Sequence, residues 1–178
     1  MNRYTCILTA LILLLLSDNA VSAKSYKLKL DHTPKVEMTG VASKGYFIKA
    51  WGTASNADKA IDQARIDAVA AALFYGIEPS RSARGNGVAQ LPSLMKRSDY
   101  DSNKAFFDNF FKKGSFLQYI NDVNSSYPTG QDNVKTPDGR RVGIEFTIDY
   151  DGLRSFLQEN GLLKKLNDHF NYPVPGQQ

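Results

Sequence analysis

Residues 56–76, "NADKAIDQARIDAVAAALFYG", decide the fold. Ala57, Ala60, Ile61, Ala64, Ala68, Ala71, Ala72 and Tyr75 recur at steps of three and four, which lays a stripe of mostly small side chains along one side of a helix. Asn56 is suited to accept an orphan amide hydrogen of the first turn, and Asp58 sits where the positive end of the helix dipole favours an acid. Gly76 is placed to end the helix in the left-handed conformation that a Cβ would resist. Small side chains let a helix axis approach its neighbour closely, so the stripe is a packing surface; it presents no nucleophile, base or ligand set. Asp58, Asp62, Gln63 and Arg65 fall on the side read as solvated, where Asp62 and Arg65 can pair for about 0.3 kcal/mol.

Immediately before the helix, Gly45 to Thr53 has the β-branched and aromatic content of a strand. Phe47, Lys49 and Trp51 share one face, with Tyr46, Ile48 and Ala50 on the other; a lysine in the first set implies that its face is only partly covered. Farther upstream, residues 24–35 alternate briefly at Tyr26, Leu28 and Leu30, as an edge strand or an entry arm would.

Downstream, residues 77–100 hold two prolines, the Gly85-Asn86-Gly87 turn and several serines, and read as a long, mobile or functional loop. A second helix is predicted from Ser102 or Asn103 to Lys113, ended by Gly114. Its Phe106, Phe107, Phe110 and Phe111 make an apolar arc, and burying all four would contribute roughly 6 to 10 kcal/mol before entropy. Residues 115–123 and 140–149 read as two strands of an antiparallel hairpin with a long polar tip, the second alternating at Val142, Ile144, Phe146 and Ile148. Asp151 is expected to cap a third helix over Leu153, Phe156 and Leu157, closed by Asn160-Gly161. Residues 162–170 suggest one more short helix, and 171–178 a flexible tail. The expected architecture is an α+β two-layer domain over residues 45–170, with helices on one face of a small, mainly antiparallel sheet and residues 24–44 as its arm or edge strand.

The first 23 residues stand apart. Arg3, the apolar run Ile7 to Leu16 and the small residues Val21-Ser22-Ala23 have the order of a cleaved export signal, which starts the mature chain near Lys24; an uncleaved anchor is the alternative. The single cysteine, Cys6, lies inside that segment. An exported chain beginning at Lys24 therefore has no disulfide, thiolate nucleophile or cysteine metal site, which fits a bacterial periplasm.

Little else in the sequence carries chemistry. His32 and His169 lie near opposite ends without a ligand-spaced partner, so both read as surface residues. No Gly-x-Ser-x-Gly turn presents a serine nucleophile. Asp149-Tyr150-Asp151-Gly152 begins like a calcium loop but runs into a helix, and Gly85-Asn86-Gly87 lacks the strand and the helix-opening lysine of a phosphate loop. The formal charge of +4 is mild. Its most uneven portion is the set Arg81, Arg84, Lys96 and Arg97, with no acid between residues 81 and 97. With Trp51, these four are the candidate partner-facing residues. Export argues against nucleic acid and leaves an acidic protein face or an anionic lipid surface.

The strand ending Ala50-Trp51-Gly52-Thr53-Ala54-Ser55, followed by a helix carrying Ala60, Ala64, Ala68 and Leu73, resembles the amino-terminal domain of the bacterial flagellar assembly protein T family and related small envelope lipoproteins. The resemblance extends in outline over residues 46–160. It implies a non-enzymatic module, without metal or cofactor, that docks onto a larger machine of the bacterial envelope. A periplasmic binder of a glycan or small anionic ligand is the second reading, through Trp51 and the loop bases, and an enzyme with acids not paired in sequence is the third.

Overall fold

The structure, a computed structural model, describes residues 24–124 and 126–164. Residues 1–23, read above as an export signal, residues 165–170 of the expected last helix, His169 and the tail at 171–178 all lie outside the described residues. Among the described residues the domain is α+β: a six-stranded sheet with five α-helices.

In chain order the strands are β1 (Lys35–Val41), β2 (Tyr46–Ala54), β3 (Glu78–Pro79), β4 (Ile120–Asp122), β5 (Asn133–Thr136) and β6 (Gly139–Ile148). The helices are α1 (Ala57–Ala70), α2 (Arg81–Gly85), α3 (Arg97–Ser102), α4 (Lys104–Lys112) and α5 (Tyr150–Glu159). The sheet runs β3-β1-β2-β6-β4, and β5 also pairs with β6. Every pairing is antiparallel except β1 with β3.

Period-two alternation sorts the sheet's two faces. Ile48, Ala50 and Gly52 of β2 and Val142, Ile144, Phe146 and Ile148 of β6 are buried on the inner face. Helix α1 lies on that face, with Asn56 accepting from the Lys59 amide at 2.9 Å as its N-cap. The closeness of approach is set at Gly52, where a Cβ would lie 2.0 Å from the Ala60 carbonyl oxygen. Ala60 and Ala64 are fully buried there, so the alanine stripe is the packing surface the sequence implied.

The helix ends in a five-residue π turn at Ala71–Tyr75, closed by Gly76 at φ +79°. Carbonyls near a helix C-terminus lack internal donors. Here the Leu94 amide donates to Ala72 O at 3.0 Å and the Met95 amide to Leu73 O at 2.8 Å. Residues 77–100, read as one long loop, instead hold β3, α2 and the first residues of α3 and are tied to the end of α1. Ile77 and Leu91 exchange two backbone hydrogen bonds, and Ile77, Ala83, Leu91, Met95 and Tyr100 are buried. The segment is pinned at widely spaced apolar residues, too sparse to register as a helical or strand period.

Three further expectations shift. Residues 115–119 form a 3-10 turn instead of a strand, because Gly114 at φ +73° ends α4 and Phe116 turns inward against Phe111 and the ring of Tyr26. Only β4 remains of that strand, while β5 makes the tight hairpin with β6 through Pro137-Asp138. The cap of α5 is Asp149, which accepts from the Gly152 amide at 2.9 Å, two residues before the expected Asp151. Finally, β1 begins where the sequence reading placed an arm or edge strand, and it lies inside the sheet between β3 and β2. The phenylalanine arc is core: Phe107, Phe110 and Phe111 are buried, and Phe106 packs partly buried among Phe107, Phe110 and Phe156.

Among the described residues no helix is long and apolar enough to cross a membrane.

Candidate functional site

Residues 24–34 have no regular structure, yet they strap the outer side of α1. Leu28 is buried, and Lys24 Nζ reaches Asp62 at 2.6 Å. His32 Nε2 lies 3.1 Å from Asp67 Oδ2, while Nδ1 lies 3.1 Å from Asp31 Oδ1. This covering explains why Asp62 and Asp67 are buried, at 8% and 2% exposure, although Asp62 was read as solvated. Arg65 holds Asp62 at 3.3 Å and Asp122 at 2.6 Å, so the expected pair exists within a larger network.

Asp67 accepts a second hydrogen bond, from Gln63 Nε2 at 2.8 Å. Burial pushes its carboxyl above the usual carboxylate range, opposed by the hydrogen bonds from His32 and Gln63. Burial disfavours a charged His32, but its hydrogen bonds to Asp31 and Asp67 outweigh that and hold the imidazole above its ordinary value. His32 is exposed, as the sequence reading had it, and is tied there to a buried acid. The sequence contained one signal for it: Asp67 interrupts the apolar run between Ile66 and Ala68-Val69, where a charge requires a partner.

Beside this pair, the strap, α1 and the ends of β1, β2 and β6 enclose a cleft of about 350 Å³. Lys29, His32, Lys35, Trp51, Asp67 and Arg141 are among its lining residues. Trp51 stands opposite Lys35 on β1 and Gly143 on β6. The indole lies across Gly143, where a Cβ would be 2.7 Å from Nε1; only glycine leaves room for the ring to lie on the strand. Lys35 Nζ stands 4.5 Å from the ring centroid and Lys49 Nζ 5.5 Å, within range of cation–π attraction. Lys49 is also neutralised by Asp132 at 2.7 Å.

Trp51 is the one sequence-derived candidate that lines this cleft. Arg81 and Arg84 are exposed on α2, with Arg84 facing Glu78 at 3.4 Å. Lys96 precedes α3, its backbone amide donating to Asp99 at 2.9 Å. Arg97 opens α3, 3.7 Å from Asp101 and 5.0 Å from the Tyr100 ring centroid. The four bases therefore divide between two short helices, and acids outside the interval 81–97 neutralise two of them. The residues that sequence reading missed are Lys29, Lys35, Asp67 and Arg141, drawn together from four separate segments.

The outer face of the sheet is the other exposed feature. Phe47, Thr53, Arg141 and Glu145 are exposed on it, with Trp51 and Lys49 half-buried. Phe47 is 37% exposed, and Val134 of β5 is 38% exposed. Among the described residues no group of three or more His, Cys, Asp or Glu side chains is arranged to hold a metal ion. Comparison with protein-family models, with curated proteins and with solved structures found no match to this chain.

Proposed function

We propose that this chain is an exported, non-enzymatic interaction module that docks on a protein of the bacterial envelope through the outer face of its sheet. The observation that carries the reading is the unequal covering of the two faces: α1 closes the inner face, whereas Phe47, Glu145 and Thr53 remain exposed on the outer one. A mixed face of half-exposed aromatic and charged groups has the composition of a non-obligate protein interface. The resemblance of residues 46–160 to envelope assembly modules and the export-like first 23 residues support the same reading.

A photo-activated cross-linker at position 145, expressed in the native envelope, tests it. A defined adduct with another envelope protein is expected from position 145 and not from Lys113 beyond the end of α4, and Phe47→Glu should abolish it. Equal capture from both positions, or capture that Phe47→Glu leaves intact, would overturn the reading.

A further inference from the structure

The cleft beside Trp51 has a charge arrangement that protein docking does not require. Its two carboxylates, Asp31 and Asp67, are both engaged by the single imidazole of His32. Among the described residues, Lys29, Lys35 and Arg141 line the same space without an ion pair within 4 Å, Lys29 lying within Coulomb range of Asp31. Three cations left unpaired around one concavity repel one another, and the arrangement is relieved by a multiply charged anion. Their supports are firm. Lys35 is placed by its register opposite Trp51, Arg141 by its register opposite Thr53, and Lys29 by the strap that His32 fastens to α1. A volume of about 350 Å³ is at the small end of ligand sites and suits one compact polar group with part of its carrier.

We propose that this cleft binds a phosphate monoester, with Lys29, Lys35 and the Arg141 guanidinium around its phosphate and the Trp51 indole flanking the carrier. A dianion matches the surplus of positive groups better than a single carboxylate, and the planar guanidinium can meet two phosphate oxygens at once. Such a phosphate is carried either by a small soluble molecule or by a lipid headgroup, and the chemistry at the three cations is shared. The cleft shares Trp51, Thr53 and Arg141 with the outer sheet face, but the proposal requires neither Phe47 nor Glu145.

The only tryptophan of the chain lies in the cleft, so intrinsic fluorescence reports on it directly. Glycerol phosphate titrated into the full-length chain should change the emission saturably, while sodium chloride at matched ionic strength should not. Losing one charge-assisted hydrogen bond costs about one factor of ten or more, so Lys35→Gln and Arg141→Gln should each raise the apparent Kd at least about tenfold. Lys44→Gln, on the exposed turn between β1 and β2, should leave it unchanged. Lys35 and Arg141 are both exposed, and an unaltered unfolding midpoint confirms that their variants fold. Sedimentation with phosphatidylcholine vesicles, with and without phosphatidic acid, separates the two sources: binding to the acidic vesicles that glycerol phosphate displaces assigns the phosphate to lipid, and its absence assigns it to a soluble ligand. The proposal is overturned by no saturable response to either probe, by an equal response to chloride, or by a response that survives both glutamine variants.

Discussion

Replacing Gly52 with alanine adds one methyl group where α1 crosses β2, and its cost follows from what that methyl meets. The new Cβ would lie 2.0 Å from Ala60 O and 2.5 Å from Ala64 N, both backbone atoms that no rotamer change can move. Carbon, nitrogen and oxygen atoms without a bond between them rest above about 3 Å, so the helix must retreat by roughly 1 Å or the strand must bend. Either movement loosens Ala60, Ala64, Ala50 and Ile48, all fully buried. Overpacking of this kind costs about 3 kcal/mol. Alanine returns up to about 1 kcal/mol by restricting the unfolded chain, which leaves a net loss of about 2 kcal/mol or more. For a domain of this size that lowers Tm by about 4 to 8 °C. The assay is thermal and urea unfolding followed by far-ultraviolet circular dichroism. Gly85→Ala is the matched control, because a Cβ there meets nothing within 4 Å and α2 gains a better helix former. It should be neutral or stabilising by up to about 1 kcal/mol. A Gly52→Ala protein as stable as the wild type would refute the account of α1 as a helix pressed directly on the sheet.

The strap gives a pH dependence whose sign is fixed. His32 is held above its ordinary value of 6.5, so the stability it lends is complete below that pH and is lost as pH rises through the higher folded value. Asp67, raised by burial, acts in the same direction above 3.8. The stability difference between the wild type and His32→Gln should therefore be widest near about pH 5.5 and narrow toward about pH 8.5 in urea titrations; a difference that grows with pH contradicts the pairing. Arg65→Met removes a cation shared by Asp62 and Asp122, leaving Asp62 with Lys24, and should cost about 1.5 kcal/mol in the same titrations. In the aromatic core, Phe107→Ala should cost about 3 to 5 kcal/mol and Phe106→Ala distinctly less, since Phe107 is fully buried and Phe106 only partly so. Equal losses at the two positions would mean that the arc is oriented differently.

The parts of the fold that were legible share a cause. Strand β6 and the phenylalanine arc of α4 each bury one regular side, and the side of α1 that meets the sheet is lined by the alanine stripe, so a period of 2 or 3.6 is written into the residues themselves even though the strap also covers the other side of α1. The Asn56 cap and the turn at Gly76 were legible because caps and positive φ angles demand particular residue types at single positions. The face of Phe47, Lys49 and Trp51 was legible for the same periodic reason, with the lysine marking it as incompletely covered.

What was misplaced had no period to show. Residues 77–100 are held by a bridge between Ile77 and Leu91 and by amides that reach the carbonyls of Ala72 and Leu73, and backbone bonds of that kind leave no mark on side-chain order. Residues 115–119 carry strand-like composition, yet Phe116 finds its burial by turning inward after Gly114. The four bases between residues 81 and 97 looked concentrated because charge was counted along the chain, whereas neutralisation by Glu78 and Asp101 acts through space. By itself, then, the sequence determined the helix that packs on the sheet, the strand it packs against and the α+β class, because each follows from local periodicity and steric demand. Only the tertiary structure decided that the strap before β1 would cover α1, bury Asp67 against His32 and bring Lys29, Lys35, Trp51 and Arg141 to one cleft. Contacts between residues dozens of positions apart are selected by the packing of whole elements, and no short stretch of sequence contains them.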